Sequence, residues 1–374
     1  MRIPTHMHVG ALCSVLTGLA LTTAAPSVLA GPLNPPAGAV AATGKTLAEV
    51  EPRTAVNAAN TPGDADSLFK ITQPGSYYLA GNVTGVAARH GIEIAASGVT
   101  LDLGGFDVAG VPGSLSGITV TAGGISTVTV RNGSVRNWAG AGIDTNTAGV
   151  IGGRIEQVTA AGNGTAGFLL GYSFAVHGCV AVGNTTFGFR LFNGAVVAGC
   201  AARQNNDGFS CTSAGVFTDC ASFDNTGFGF FSGLGSTFRS CNATSNGDDG
   251  ITTTSGTSIV DCTAVSNNGD GISFSAHCVV RGNACYNNGA AGVHATGDDN
   301  RIEGNNCTSS PRGMDVDAAG NFISRNTCSG NTTNWAVVQG NRCLVVVAAN
   351  APAINGDAGG AAPGSADPNA NFTY

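Results

Sequence analysis

Aspartates stand directly before the glycine of several repeats in the middle of this 374-residue chain. Asp207, Asp249 and Asp270 take that position, and Asp248 adjoins Asp249. If the repeats stack like β-strands, at roughly 4.8 Å, these carboxylates line up along one flank. Such a cluster suits a lyase in which Ca2+ bridges the protein and a uronate, or a hydrolase that uses paired carboxyl groups. The alternative is turn formation alone, because Asp beside Asn and Gly favours turns.

One histidine and three phenylalanines are further candidates. His294 is expected to point outward beside the turn at Asp298 and Asp299, with Asp315 one repeat further on. A His–Asp pair could transfer protons, although a single surface histidine usually does not. Exposed aromatic rings could stack on sugar rings, with packing beneath the turns as the alternative; the rings are those of Phe187, Phe228 and Phe231.

A repeat of about 21 residues must position these side chains. Twelve units recur, at a spacing that begins at 25 or 26 residues and settles at 20 to 22. Eleven of them carry a glycine followed by an apolar residue, from Gly91-Ile92 to Gly313-Met314, and Asn334-Trp335 closes the series. Period-2 segments of this length are strands rather than helices, and repeats that cannot bury an apolar face alone must stack. The pattern predicts a solenoid of short parallel strands.

Asparagine recurs three or four residues before the repeat glycine. Stacked amides at rung spacing can hydrogen-bond to one another and to the turn backbone. Ser310 interrupts the column and Asn331 resumes it. The other members are Asn163, Asn184, Asn205, Asn225, Asn246, Asn267 and Asn288.

Cysteines occupy two further columns. The first column contains Cys179, Cys200, Cys220, Cys241 and Cys262, and in the following repeats asparagine takes the same position, as Asn283, Asn305, Asn326 and Asn341. The second column contains Cys285, Cys307, Cys328 and Cys343. Parallel stacking leaves the Cβ atoms beyond the usual disulfide range, and metal ligands converge on a point rather than forming a line. Buried thiols are therefore expected, with disulfides or a soft metal as alternatives. Cys211 and Cys278 lie off both columns.

The "N…GI" unit, together with "ITQPGSYYLAGNV" and "GVTLDLGGFDV" near the start, resembles the right-handed parallel β-helix proteins of the pectate-lyase-like superfamily, in particular its short-repeat carbohydrate-binding and sugar-hydrolase members, including the NosD-like ones. The resemblance covers roughly residues 66–345. It implies an all-β, single-stranded, right-handed parallel β-helix of about twelve rungs. It is specific for fold and not for activity, because the superfamily contains lyases, hydrolases, epimerases and non-catalytic surface proteins. Of the motifs typical of its polygalacturonases and epimerases, only Asp248-Asp249 is present.

The ends of the chain suggest export. Residues 1–30 have a basic start, an apolar stretch and small residues before Gly31, as in a secretory signal. Residues 31–65 are expected to form a flexible leader, and residues 346–374 a tail or a cap. A secreted, periplasmic or cell-surface protein with no membrane span after signal removal is predicted. The net charge of −7 argues against nucleic acid as a partner.

These patterns predict an exported β-helix that engages polysaccharide. The alternatives are a polysaccharide lyase or glycoside hydrolase and a purely structural rod. The predicted catalytic residues are Asp207, Asp248, Asp249 and Asp270, and the predicted substrate-binding residues are Phe187, Phe228, Phe231 and His294. No metal ligands are predicted, and Ca2+ is the cofactor that a lyase would need. The sequence does not specify an oligomeric state.

Overall fold

Alternating apolar residues, interrupted at regular intervals by Gly, Asn, Asp and Ser, produce short strands joined by tight turns. The computed structural model describes residues 50–121, 123–146, 150–347 and 367–374. Glu51–Tyr374 form one compact unit that contains every strand described. The strands are β1 (Thr54–Ala55), β2 (Ser67–Ile71), β3 (Gly75–Tyr78), β4 (Val83–Thr84), β5 (His90–Ile94), β6 (Val99–Asp102), β7 (Asp107–Ala109), β8 (Ile118–Val120), β9 (Ser126–Arg136), β10 (Ile143–Asp144), β11 (Ile151–Ala161), β12 (Ala166–Leu170), β13 (Tyr172–His177), β14 (Val180–Val182), β15 (Phe187–Leu191), β16 (Val196–Ala198), β17 (Ala201–Arg203), β18 (Asp207–Cys211), β19 (Val216–Thr218), β20 (Ala221–Phe223), β21 (Phe230–Ser232), β22 (Thr237–Arg239), β23 (Asn242–Thr244), β24 (Ile251–Thr253), β25 (Ser258–Val260), β26 (Thr263–Val265), β27 (Ile272–Phe274), β28 (Val279–Arg281), β29 (Ala284–Tyr286), β30 (Ala291–Ala295), β31 (Arg301–Glu303), β32 (Asn306–Thr308), β33 (Arg312–Val316), β34 (Phe322–Ser324), β35 (Thr327–Ser329), β36 (Thr333–Val337), β37 (Arg342–Cys343), β38 (Val345–Val347) and β39 (Asn371–Thr373).

Each turn of the chain adds one strand to a thirteen-strand sheet and, in most turns, two short strands to a second sheet of 26 strands. The thirteen-strand sheet consists of β2, β5, β8, β10, β12, β15, β18, β21, β24, β27, β30, β33 and β36. Pairing is parallel and joins equivalent residues of successive turns, as in Phe230 with Ile251 and Ile251 with Ile272. The chain makes about fourteen turns. The parallel β-helix is therefore confirmed, with slightly more rungs than the predicted twelve.

The repeat glycine and the repeat asparagine are needed at the same place in each turn. A Cβ atom on Gly250 would lie 2.6 Å from the carbonyl oxygen of Gly271 and 2.7 Å from Nδ2 of Asn267. Any larger residue would collide with both groups. The glycine thus leaves room for the asparagine side chain to pass beneath the start of the strand.

The asparagine ladder satisfies the polar groups of these buried turns. Asn267 Oδ1 accepts hydrogen bonds from the backbone N–H and from Nδ2 of Asn246, at 3.1 and 2.9 Å. Its own Nδ2 donates to the carbonyl of Ala243 and to Oδ1 of Asn288, at 3.1 and 3.0 Å. Ser310 continues the ladder by accepting from the N–H of Asn288 at 3.1 Å. The predicted ladder is confirmed.

The described cysteines are free, and all are buried except Cys343, which is half-buried. Buried thiols are thus confirmed. The predicted change of residue type in the two columns is also observed. Asn283 continues the first column by accepting a hydrogen bond from the N–H of Cys262 at 2.9 Å, and Cys285 continues the second by pairing in register with Ala264. Cysteine serves here as a small buried apolar residue.

Two placements near the end of the columns were wrong. The first column ends at Asn371, which accepts from the N–H of Asn326 at 2.9 Å, and not at Asn341. Cys343 pairs with Ile323 and therefore lies outside the second column. Asn341 belongs instead to a third column, which includes Cys278, Asn300, Asn321 and Asn341.

Phenylalanines fill the interior beneath the thirteen-strand sheet. Phe168, Phe189, Phe209 and Phe230 stack with ring centroids 4.6, 4.6 and 4.7 Å apart. Each is the apolar residue that follows a repeat glycine. Because side chains alternate along a strand, the next residue of each strand points outward. The core therefore determines which side chains the sheet presents to solvent.

The ends of the β-helix differ from the expected boundaries. β1 pairs in parallel with β3, with Thr54 opposite Tyr77, so the interval 31–65 contributes the two-residue strand Thr54–Ala55 to the β-helix, and residues 31–49 of the predicted leader lie outside the described residues. At the other end, β39 pairs with both β35 and β38. Residues 1–30 and 348–366 lie outside the described residues. Among those described, no helix has the length and apolarity needed to cross a membrane.

Candidate functional site

Seven of the eight predicted site residues lie on the outer face of the thirteen-strand sheet, between β15 and β33. Two positions of each rung point outward there: the residue before the repeat glycine and the second residue after it. Strand pairing aligns the second position through Phe231, Thr252, Ser273, His294 and Asp315. We call this surface, from Phe187 to Asp317, the outer face.

The N-terminal part of the outer face is aromatic and cationic. The Arg190 guanidinium lies 5.2 Å from the ring centroid of Phe187 and 6.0 Å from that of Phe192. The rings of Phe228 and Phe231, two rungs further on, are 5.7 Å apart and tilted by 42°. All four rings are half-buried. Their accessible edges and faces can therefore contact a ligand while the rest of each ring packs against the sheet.

Aspartates before the repeat glycine bond to the backbone of the following rung. Asp207 Oδ1 accepts from the N–H of Phe228 at 3.1 Å, and Asp249 Oδ1 accepts from the N–H of Asp270 at 2.6 Å. The second oxygen of Asp249 accepts from the Thr252 hydroxyl at 2.7 Å. Burial raises the pKa of Asp207 and of Asp249 above the usual range, against the effect of these hydrogen bonds. Asp207 and Asp249 therefore stabilise the turns, as the alternative interpretation expected, and their carboxyl groups also hold a proton more readily than an exposed aspartate does.

His294 joins two rungs of carboxylates. Its Nδ1 lies 2.7 Å from Asp270 Oδ2, and its Nε2 lies 3.0 Å from Asp317 Oδ2 and 3.9 Å from Asp315 Oδ2. The hydrogen bond to Asp270 raises the pKa of His294 to about 9, with a smaller contribution from Asp317 and despite partial burial. At neutral pH the imidazole is therefore protonated and donates from both nitrogens.

A second cation completes this end of the outer face. Arg312 Nη1 forms a hydrogen-bonded ion pair with Asp315, and this pairing raises the pKa of the Arg312 guanidinium. Asp270 and Asp315 are largely buried, whereas Asp317 is more than half exposed. The cluster of Asp270, His294, Arg312, Asp315 and Asp317 thus contains charge-assisted hydrogen bonds around His294 and at Arg312, linked by the 3.9 Å approach of His294 to Asp315, with one carboxylate open to solvent.

The donor set does not fit Ca2+. His294, Asp315 and Asp317 offer ligand atoms close enough to share an ion. However, Ca2+ prefers oxygen ligands, whereas His294 offers a nitrogen, and Asp315 is already paired with Arg312. The other predicted carboxylates do not join a group of three ligands in the described chain. The network is better suited to binding polar groups and to holding protons than to holding a cation.

The sequence identified the face but not all of its members. Asp248 is exposed in the turn before β24, where its Oδ1 accepts from the N–H of Asp249 at 3.0 Å, and it does not join the cluster. The expectation that His294 lies beside Asp298 and Asp299 was wrong, because those two residues surround His277 instead. Arg312 and Asp317 were missed.

Both missed residues carried a signal in the sequence. Arg312 directly precedes Gly313, the position that Asp249 and Asp270 take in earlier repeats. Asp317 directly follows β33, two residues after Asp315, so continuing the strand alternation by one residue places it on the same side. Extending the column before the glycine by one rung would have found Arg312, and following the alternation past Asp315 would have found Asp317.

The most prominent groove of the described chain lies apart from this site. A groove of about 510 Å³ lies on the other sheet and is lined by Thr129, Arg131 and Arg154 among others. None of the predicted residues lines it. The outer face is open along its length, which suits an extended ligand better than a small enclosed one.

Comparison with known proteins agrees with this architecture. The family model described as "Right handed beta helix region" matches residues 116–268 and 205–306, which together span about half of the chain. No curated protein shows significant similarity. Among solved structures, the chain is similar to the Azotobacter vinelandii mannuronan C-5 epimerase AlgE4 A-module, at 17% identity and a TM-score of 0.45 over 69% of this chain and 80% of that one.

Two further solved structures show the same likeness in fold. The A-module of Azotobacter vinelandii mannuronan C-5 epimerase AlgE6 is 15% identical, with a TM-score of 0.47 over 68% of this chain and 90% of that one. The Dettilon tailspike protein is 14% identical, with a TM-score of 0.49 over 74% of this chain and 61% of that one. The family match confirms the right-handed parallel β-helix that the resemblance implied. The chain belongs to the right-handed β-helix family.

Proposed function

We propose that this protein binds polysaccharide along the outer face of its thirteen-strand sheet, outside the cytoplasm. One observation carries the proposal: half-buried aromatic rings and hydrogen-bonding charged groups occupy the same two outward columns over consecutive rungs. A polysaccharide offers apolar ring faces and hydroxyl groups at regular intervals. A surface with its own linear repeat can meet both kinds of group at several points.

The two ends of the outer face have different roles in this proposal. Phe187, Phe228 and Phe231 supply rings for stacking at the N-terminal end. At the C-terminal end, the exposed carboxylate of Asp317 supplies a hydrogen-bond acceptor, and His294 holds that carboxylate in place through Nε2. Charged groups that are already paired lose little freedom on binding, so they can bond to hydroxyl groups at low entropic cost.

The location is part of the same proposal. The signal-like pattern in residues 1–30 supports export to the periplasm, the cell surface or the medium. The sugar is to be identified by affinity electrophoresis of the mature chain through gels that each contain one neutral or acidic polysaccharide. We expect slower migration in at least one gel, unchanged by EDTA, because the site does not use Ca2+. Unchanged migration in every gel would contradict the proposal.

A second candidate function is cleavage of a glycosidic bond, favoured by the contact between Asp249 and Asp270. The two residues are one rung apart, roughly 4.8 Å, near the ~5–5.5 Å separation of carboxyl groups in retaining glycosidases. Asp249, whose pKa is raised by burial, would protonate the leaving oxygen. The Asp270 carboxylate would attack the anomeric carbon, and water would then hydrolyse the glycosyl–enzyme ester.

Product analysis separates catalysis from binding alone. If the protein is a hydrolase, new reducing ends appear without unsaturated sugars, and Asp270→Asn lowers kcat by about 100-fold or more because the nucleophile is lost. Asp298→Asn, in the turn outside the outer face, serves as the control and should retain full turnover. Absence of any product from a polysaccharide that binds would exclude the second candidate and leave the binding proposal intact.

A further inference from the structure

The last turn of the β-helix is assembled from two separate segments of the chain. β39 pairs with β35 on one side, with Thr327 opposite Phe372, and with β38 on the other, with Val345 opposite Asn371. The C-terminal strand thus lies between two strands that are closer in sequence to each other. In the preceding turns, the corresponding strands pair directly, as β32 does with β35.

The slot that holds β39 is specific for its side chains. Asn371 Oδ1 accepts from both the N–H and Nδ2 of Asn326 at 2.9 Å, and its Nδ2 donates to the carbonyl of Ile323 at 2.9 Å. Asn371 is fully buried. Thr373 Oγ1 accepts from Nε1 of Trp335 at 2.6 Å. These contacts reproduce the asparagine ladder with a residue from the end of the chain.

The covalent path to this strand is long. Residues 348–366 join β38 to the terminal segment, and they would span about 60 Å if extended at ~3.3 Å per residue. Within the described part of the chain, the contacts that hold the strand are made by the terminal segment itself, residues 367–374. The slot therefore recognises a short peptide whose attachment to the same chain is not part of the recognition.

We propose that the slot between β35 and β38 also accepts the terminal strand of a second copy of this chain, so that two copies associate by reciprocal strand exchange. The exchanged strand makes the same ladder contacts as the original one, so exchange loses no interaction. In the intact chain, the chain's own terminal strand is tethered near the slot and competes for it, at high effective concentration, with the strand of a second copy. Shortening the connection removes that competitor.

Deletion of residues 349–366 tests the proposal. One residue would remain between Val347 and Asp367, reaching about 7 Å at ~3.3–3.6 Å per residue. Because β38 and β39 are parallel, with Asn371 opposite Val345, the connection must return from the end of β38 to its start before β39 can pair with it. The shortened connection is too short for this return. We expect this variant to have twice the molar mass of the intact chain by light scattering. Deletion of residues 349–374, which also removes the strand, should restore the monomeric mass.

The Cys343 thiol reports whether the slot is filled. It is half-buried, and Asn371 Nδ2 lies 3.7 Å from its Sγ. We expect its modification rate to rise at least tenfold in the 349–374 deletion and to stay low in the dimer, with Cys343→Ser as the blank. A monomeric 349–366 deletion, or a dimer with an exposed thiol, would overturn the proposal. If the 349–366 deletion does not fold, a peptide of residues 367–374 added to the 349–374 deletion decides: protection of the thiol supports exchange, and continued exposure refutes it.

Discussion

Replacing Asn267 by alanine is expected to lower the free energy of unfolding by about 3 kcal/mol. The substitution removes two hydrogen bonds accepted by Oδ1 and two donated by Nδ2. It leaves the N–H of Asn246 and the carbonyl of Ala243 buried without these partners, and each such group costs about 1–3 kcal/mol. The loss should appear as a lower denaturation midpoint in guanidinium chloride.

The neighbouring residue provides the control for this prediction. Asn268 lies in the same turn but is exposed, so Asn268→Ala should change the free energy of unfolding by no more than about 0.5 kcal/mol. Equal effects of the two substitutions would mean that the asparagines act only through turn propensity. The explanation of the repeat as a buried amide ladder would then fail.

The second large effect concerns the ionisation of His294. Its pKa of about 9 exceeds the ordinary value of 6.5 mainly because of the hydrogen bond to Asp270. Asp270→Asn should bring the pKa of His294 down towards 6.5, and NMR titration of the imidazole resonances measures it. Asp298→Asn removes a carboxylate outside the cluster and should leave this titration unchanged. A His294 pKa that does not respond to Asp270→Asn would contradict the described network.

The same shift predicts how stability depends on pH. The folded-state pKa lies above that of the unfolded chain, so the folded protein binds the proton more tightly. The stabilisation is complete below about pH 6.5 and is lost as pH rises through about 9. It is on the order of 3 kcal/mol in the intact chain. In Asp270→Asn, the fall in stability between these two pH values should be much smaller.

The regular part of the fold could be predicted from the sequence because its signals are local and repeated. Each glycine, such as Gly250, must accommodate the asparagine of the following rung, such as Asn267, so the two columns share one spacing. The same spacing puts Phe231 and His294 in one outward column, and the strand pairing agrees. Stacking propagates register from rung to rung, so few errors accumulate within the series.

Prediction failed where the repeat ends or where side chains reach across rungs. The C-terminal strand fills a rung position that Asn341 was expected to take, because Asn371 fits the same ladder and sequence distance does not exclude it. The partners of His294 were misplaced because its side chain reaches back to Asp270 and along to Asp317. Column position gives the direction of a side chain but not the rung on which its partner lies.

Binding of the mature protein to the polysaccharide found by electrophoresis tests the central proposal most directly, with two phenylalanines compared. Phe231 lies on the outer face, and Phe223 is a half-buried phenylalanine on the other sheet, 5.2 Å from the Arg203 guanidinium. We predict that Phe231→Ala raises Kd about tenfold, equivalent to ~1.4 kcal/mol, while Phe223→Ala leaves it unchanged. Unchanged affinity in Phe231→Ala, or an equal loss in both variants, would show that the outer face is not the binding surface.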